Sequence, residues 1–204
     1  MNKYALLFCW FTPFCLRGQV LDTAEIRREV DSLVQVCRSL DKEGKFKEGL
    51  EVIEYAEKIS EKAFSKNSLP YGSCRFTHAY ILHSMRRYHE AEELYLEAKT
   101  LLYAPQNAEY ASVVHCLAIL YRETKKNKLA LPLAKEALSI RKNILKNEHR
   151  DYILSLNILG VLFYEIGSYK TAEPFFLEAR SIYKTAKKEE DKFYTDILNN
   201  LAAL

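Results

Sequence analysis

Apolar residues in the second half of the chain recur at intervals of three and four, the spacing of one face of an α-helix. The clearest stripe consists of four residues: Leu156, Leu159, Phe163 and Ile166. The pattern breaks at residues 167–169, which read Gly-Ser-Tyr, and a second stripe follows: Ala172, Phe176, Ala179 and Tyr183. This alternation predicts two helices joined by a tight turn.

The same pattern returns along the chain, marked by a tyrosine and a small residue eight positions later. Four such pairs occur: Tyr71 with Ala79, Tyr110 with Ala118, Tyr152 with Gly160, and Tyr194 with Ala202. Successive tyrosines lie 39, 42 and 42 residues apart. Helical units of about this length stack so that each buries its apolar face against its neighbours. The sequence therefore predicts an all-α fold, an α-solenoid of stacked antiparallel helix pairs.

Two repeat positions indicate how the turns and second helices are built. The turn carries Gly44 and Gly167 in two units, but Arg86 and Lys125 in the others. We expect those two turns to adopt a conformation suited to a residue other than glycine. Prolines 132 and 174 share a second position, and proline is tolerated in the first turn of a helix. We therefore expect these second helices to begin about three to four residues before the proline.

The first residues are predicted to lie outside the repeat. Lys3 precedes an uncharged apolar run of 13 residues, 4–16, and Arg17-Gly18-Gln19 ends it. This run is shorter than the roughly 20 residues that a membrane-spanning helix needs, but it has the length of a signal-peptide core. We predict cleavage after Gly18 and export to the periplasm or outside the cell. The alternative is an uncleaved anchor or a buried first helix, and sequencing of the mature amino terminus distinguishes the two.

The repeat register divides the chain into segments. We predict a signal peptide at 1–18, a lead-in at 19–29, and four helix-pair units at about 30–70, 71–109, 110–151 and 152–191. Residues 192–204 are predicted to be the first helix of an incomplete fifth unit, with apolar residues at its end. Because a solenoid end requires a polar face for solubility, we expect either a longer protein or a covered end, for example through self-association.

Cysteines, charge and histidines argue against several kinds of chemistry. After signal cleavage three cysteines remain, each in the first helix of a different unit: Cys37, Cys74 and Cys116. No CxxC spacing occurs, so buried, unreactive thiols are the favoured interpretation. The 30 basic and 27 acidic residues give a net charge of +3, which does not favour nucleic-acid binding. We predict no catalytic residues, no metal and no cofactor, because neither a nucleophile motif, a metal-binding histidine pair nor a phosphate loop is present.

The run from residue 137 to 183 resembles tetratricopeptide repeats (TPRs) of the 42-residue kinesin-light-chain type. The matching features are the helix tail ALSIRKNIL, the linker His149, the LNxLG segment, the GxY turn and the AEPFF helix start. Arg150 stands where that pattern usually has proline. The resemblance extends over about residues 30–204 and implies a right-handed superhelix that binds other proteins and has no enzymatic activity.

The resemblance also implies that first helices line a concave groove, at four positions in each unit. The predicted groove residues are Phe76, Tyr80, His83, His115, Ile119, Arg122, Asn157, Val161, Tyr164 and Asn199, with Ser84, Glu123 and Glu165 at the same repeat positions. The two asparagines offer a donor and an acceptor to an extended peptide, and the aromatic residues offer contact area.

Two functions follow from these predictions. The first is a non-enzymatic scaffold that binds a partner peptide or protein segment in the groove, without nucleic acid and without membrane after signal cleavage. The alternative is a sensor or regulatory segment of a longer protein with a downstream effector domain, such as a caspase-like protease. The reading frame beyond residue 204 distinguishes the two.

Overall fold

The structure, a computed structural model, describes residues 22–104, 106–145, 149–186 and 191–204. These residues form nine α-helices and no strand: α1 Thr23–Lys42, α2 Phe46–Phe64, α3 Leu69–Ser84, α4 Tyr88–Leu101, α5 Ala108–Glu123, α6 Asn127–Ile144, α7 Arg150–Glu165, α8 Tyr169–Thr185 and α9 Lys192–Ala202. The all-α prediction is confirmed. The predicted signal peptide, 1–18, lies outside the described residues, and export stays a prediction.

The helices pack in two layers. Each helix packs against the next one along the chain, so that α1–α2, α3–α4, α5–α6 and α7–α8 form four pairs, called units 1 to 4 below. Odd-numbered helices also contact one another, α1 with α3, α3 with α5, and α5 with α7. Even-numbered helices make no comparable contact within the described chain. The array therefore curves toward the odd-numbered helices, which form its inner, concave face.

The repeated tyrosine ties the two helices of a unit together. Tyr110 donates its hydroxyl hydrogen to Glu136 at 2.7 Å, and Tyr152 donates to Glu178 at the same distance. Each glutamate lies on the second helix of the same unit. Because both rings are buried, the bond satisfies a hydroxyl that would otherwise lose its water contacts on folding.

The small residue eight positions later has a packing reason. A Cβ atom added at Gly160 would lie 2.5 Å from the ring of Phe176, which is closer than any ordinary contact. Glycine therefore allows α7 and α8 to approach closely while a large aromatic ring fills the space between them.

The inner helices all begin with a side-chain cap, which explains where the first helix starts. The cap residues are Asp22, Ser68, Asn107, His149 and Asp191. Each accepts a hydrogen bond from a backbone N–H of the first turn that has no partner within the helix. Because Asp22 caps α1, this helix begins at Thr23, and the prediction that 19–29 is a lead-in before the repeat is wrong from residue 23 onward.

The four turns within units share one conformation, so the prediction of a different turn at Arg86 and Lys125 is wrong. The second residue after the inner helix of each unit has a positive φ: 74° at Gly44, 60° at Arg86, 61° at Lys125 and 79° at Gly167. In unit 2 the Arg86 N–H donates to the His83 carbonyl at 2.8 Å, and the Arg87 N–H donates to the Leu82 carbonyl at 2.9 Å. The same pair of bonds closes the other three turns. This is the Schellman motif, which satisfies the last carbonyls of the helix.

The second helices begin earlier than the prolines predicted. α6 begins at Asn127 and α8 at Tyr169, each five residues before its proline rather than three to four. The chain re-enters a helix directly after the Schellman turn, since the Ala130 N–H already bonds to the Lys126 carbonyl. Pro132 therefore lies in the second turn of α6, where its missing N–H leaves a carbonyl of the first turn without a helical partner.

Candidate functional site

A cleft of about 670 Å³ opens where inner helices and turns of units 2, 3 and 4 meet. Eleven residues line it: Tyr80, His83, Ser84, Arg86, Tyr88, Cys116, Ile119, Arg122, Glu123, Lys125 and Glu165. Four of the predicted groove residues lie in the cleft, and so do the three residues that share their repeat positions. A volume of this size is typical of ligand-binding clefts.

The cleft combines apolar area with polar groups. Tyr80 on α3 keeps 42% of its surface exposed, an unusually large fraction for an aromatic side chain that lies between packed helices. Half-buried Ile119 contributes from the next inner helix, α5. Exposed aromatic and aliphatic area of this kind provides the anchoring contacts in protein interfaces.

His83 connects the cleft to the core. Its Nδ1 lies 3.3 Å from the hydroxyl of fully buried Tyr95, and its Nε2 lies 3.1 Å from a carboxylate oxygen of Glu123. In the tautomer protonated on Nε2, the imidazole donates to Glu123 and accepts from the Tyr95 hydroxyl. Because His83 is on α3 and Glu123 is on α5, the hydrogen bond between them also joins unit 2 to unit 3.

The charged groups of the cleft differ in whether they have partners within the molecule. Glu123 is bonded to His83 and lies 3.9 Å from the Arg122 guanidinium, whereas Glu165 accepts from the Asn127 amide at 3.1 Å. Arg86 and Lys125 are exposed and have no side-chain partner among the described residues. The two carboxylates of the cleft therefore have hydrogen-bond partners within the described residues, whereas these two cations have none.

Two predicted groove residues are not accessible. Phe76 and His115 retain only 7% and 6% of their surface, because their repeat position faces the interior of the array instead of the solvent. Phe76 packs against Tyr95 in the core. The prediction that these two side chains belong to a partner surface is wrong for this reason.

The four groove residues predicted farthest along the chain lie outside the cleft. The side-chain oxygen of Asn157 accepts from the Asn200 amide at 2.9 Å, so the neighbouring helix α9 occupies the acceptor that was assigned to a peptide. Val161 is half-buried, and Asn199 is exposed. Tyr164 is exposed and packs against Tyr169, with ring centroids 5.4 Å apart.

Four cleft residues were not predicted as site residues: Arg86, Tyr88, Cys116 and Lys125. Tyr88 meets the His83 ring edge-on, with centroids 5.7 Å apart. In the sequence, Arg86 and Lys125 are distinguished only as basic residues at the turn position where two other units have glycine. This signal indicates a site only when the left-handed conformation of the turn is known.

The thiols are held in their protonated form. Burial raises the pKa of Cys37 and of Cys74 to about 12, and that of cleft residue Cys116 to about 11. All three are free of disulfides. Thiolate is the nucleophilic form, so Cys116 is not an activated nucleophile.

The described residues offer neither a metal site nor a helix that could span a membrane. No three His, Cys, Asp or Glu side chains in this part of the chain are grouped so that they could hold a metal ion. No described helix combines the length and the apolar composition needed to cross a membrane.

The curved two-layer array and its inner-face cleft define an α-solenoid of the tetratricopeptide type. The tetratricopeptide repeat family profile matches residues 109–185, which cover units 3 and 4. No protein of curated function matches the chain in sequence.

Solved structures share this fold over most of the chain. One of them consists of nearly identical TPR-like repeats of a kinesin light chain from Podosopora anserina. Its TM-score is 0.73 and its identity 17%, and the match covers 87% of this chain and 85% of the other. BtubC (BKLC) from P. vanneervenii has a TM-score of 0.68 and 24% identity, covering 78% of this chain and 64% of its own. YrrB, a TPR protein with an unusual peptide-binding site, has a TM-score of 0.50 and 13% identity over 83% of this chain and 82% of its own. Because the identities are only 13–24%, the similarity establishes the fold and nothing beyond it. The predicted right-handed TPR superhelix is confirmed.

Proposed function

We propose that this chain is a non-enzymatic protein-interaction scaffold whose cleft binds a short segment of a partner protein. The observation that carries the proposal is the cleft itself, which is shared by three successive units and exposes Tyr80 beside a rim of charged groups. A segment lying along it would contact several units at once, as expected for a binding surface built by stacked repeats.

Two further facts support the proposal. The cleft thiol of Cys116 is protonated because burial raises its pKa to about 11, so it does not supply a nucleophile. YrrB, which shares the fold, is a TPR protein with a peptide-binding site. Because a fold alone does not fix a function, the cleft residues and not the resemblance must carry the test.

Selection of random peptides displayed on phage tests the proposal directly. We expect the wild-type protein to enrich a set of peptides that bind in the cleft. Tyr80→Ser should weaken the enriched peptides by roughly tenfold or more, because it removes an aromatic anchor, whereas Tyr80→Phe should keep most of the affinity. The measurement is fluorescence anisotropy with the synthetic peptides.

Tyr164→Ser provides a matched control, since Tyr164 is an exposed tyrosine of the same inner layer outside the cleft. It should leave the affinity unchanged, and the helical circular-dichroism signal of all three variants should equal that of the wild type. Failure to enrich any peptide, or equal binding by Tyr80→Ser, would contradict a binding role for the cleft.

A further inference from the structure

Arg86 and Lys125 occupy a repeat position where units 1 and 4 have glycine. Both hold the left-handed conformation that glycine adopts there, with φ of 60° and 61°. A residue with a Cβ atom is strained in this region, and glycine is not. Each side chain is therefore retained at a cost to the folded state. Packing does not explain the cost, because both residues are exposed.

Structural ion pairs do not explain it either. The basic residue that follows each of them is used within the molecule: Arg87 bonds to Glu90 with its Nε at 2.7 Å, and Lys126 bonds to Glu92 at 2.8 Å. Neither Arg86 nor Lys125 has a side-chain partner in the described part of the chain. In both pairs of neighbouring basic residues, Arg86–Arg87 and Lys125–Lys126, the residue with the strained backbone is therefore the one whose charge is available to a ligand.

Both available cations line the cleft, and they approach it from successive units. The two carboxylates of the cleft, Glu123 and Glu165, already accept hydrogen bonds from His83 and Asn127. A ligand that completes the electrostatics of the cleft is therefore anionic. Because the cations come from two different turns, they suit negative groups at two places along an extended ligand.

We propose that Arg86 and Lys125 contact the partner, and that they bind carboxylates of an acidic protein segment whose apolar side chain rests on Tyr80 and Ile119. This inference rests on the proposed function of the cleft and names the chemistry of its ligand. The exposed Tyr80 ring favours a polypeptide over a small inorganic anion, because an anion alone would leave the apolar area uncovered.

Glycine substitution separates charge from folding. The double variant Arg86→Gly/Lys125→Gly removes both cations and installs the residue that units 1 and 4 already use at this turn, so its melting temperature should not fall. Lys128→Gln is the matched control: it removes an exposed lysine near the same turn that does not line the cleft.

The probes are three fluorescein-labelled peptides of equal length. The first has a central tyrosine and leucine flanked by glutamates, the second has glutamines in place of the glutamates, and the third has glutamates alone. We expect the wild type and Lys128→Gln to bind the first peptide roughly five- to tenfold more tightly than the second, and this preference should weaken with added salt. The double glycine variant should bind the first two equally.

The outcomes separate this inference from the proposed function. If cleft-binding peptides exist, but the wild type does not prefer the acidic one or the double glycine variant keeps the preference, the inference is wrong and the scaffold proposal stands. If the glutamate-only peptide or inorganic phosphate competes as well as the first peptide, a simple polyanion site replaces the acidic segment. If no peptide binds and phage selection also enriches none, both proposals fail.

Discussion

His115 is a buried imidazole whose charge state is linked to stability. Its Nδ1 has no hydrogen-bond partner among the described residues, and only 6% of the residue is exposed. Burial, together with the smaller effect of the nearby charge of Arg141, lowers its pKa from 6.5 to about 3. The unfolded chain therefore binds a proton below about pH 6.5 that the folded protein does not bind.

This linkage predicts an acid-dependent loss of stability. Because the folded-state pKa is depressed, the contribution of His115 is full above about pH 6.5 and is lost as the pH falls toward 3. Between pH 7 and pH 5 the loss should be about 2 kcal/mol. His115→Phe, which places the residue of the same position in unit 2, should remove this part of the pH dependence. Urea unfolding of both proteins at the two pH values measures it, and identical pH dependence would show that His115 takes up its proton in the folded state.

Spacing along the sequence identified which side chains share a helical face, but not which of them is covered. Tyr80 and Ile119, both predicted groove residues, line the cleft, whereas Phe76 and His115, one turn earlier on the same helices, are buried. The earlier position faces the core, where Phe76 packs against Tyr95 on the second helix of its unit. Periodicity within one helix does not contain that information.

At the scale of the elements, the turn is the most regular part of the repeat. Its place was predictable, because the apolar stripes stop there and glycine marks two of the four cases. Its conformation at Arg86 and Lys125 was not, since neither residue type favours a positive φ. The hydrogen bonds that close each inner helix impose the left-handed conformation whatever side chain is present.

Exchange of turn residues should change stability in opposite directions. Arg86→Gly and Lys125→Gly each relieve a strain of roughly 1–2 kcal/mol, part of which the greater freedom of glycine in the unfolded chain offsets. We expect each to stabilise the protein by about 0.5–1 kcal/mol. Gly167→Arg should destabilise it by a similar amount. Guanidinium unfolding of the three variants measures the changes, and a loss of stability in either glycine variant would mean that the native side chain is supported by contacts.

At the scale of the whole molecule, one buried guanidinium joins units 3 and 4. Arg141 on α6 is 3% exposed and donates to the Ser155 hydroxyl at 2.8 Å and the Asp151 carbonyl at 3.0 Å, both on α7. It also donates to Ser112 on α5 at 3.3 Å. At the equivalent junction of units 2 and 3, the positions of Arg141 and Ser155 are taken by Leu102 and Val113, which are both buried.

The two kinds of junction predict a non-additive pair of substitutions. Arg141→Leu alone should destabilise the protein by about 1–3 kcal/mol, because it leaves buried hydrogen-bonding groups on α7 without a donor. Adding Ser155→Val should recover much of that loss, since a well-packed apolar pair can replace a buried charge. Thermal unfolding of the two single variants and the double variant gives the coupling. If the two single effects simply add, the guanidinium and Ser155 do not act as a pair.

The global fold was the most predictable level and the cleft the least. A tyrosine and a small residue at a fixed period were enough to fix the register, because their bonds and contacts lie within one unit, as at Tyr152 and Gly160. The cleft takes residues from three units and from the turns between helices. Residues such as Lys125 and Glu165 come together only when the superhelix has formed.

The four superimposable turns have a consequence for how such an array diverges. Since the backbone holds the same left-handed shape with glycine, arginine or lysine, the charge presented there can change through single mutations without altering the curvature of the array. Natural selection can therefore change the ligand-binding residue at this position without changing the fold. A family of repeats built in this way can acquire new ligands while its scaffold stays the same, and the price is a small loss of stability at each charged turn.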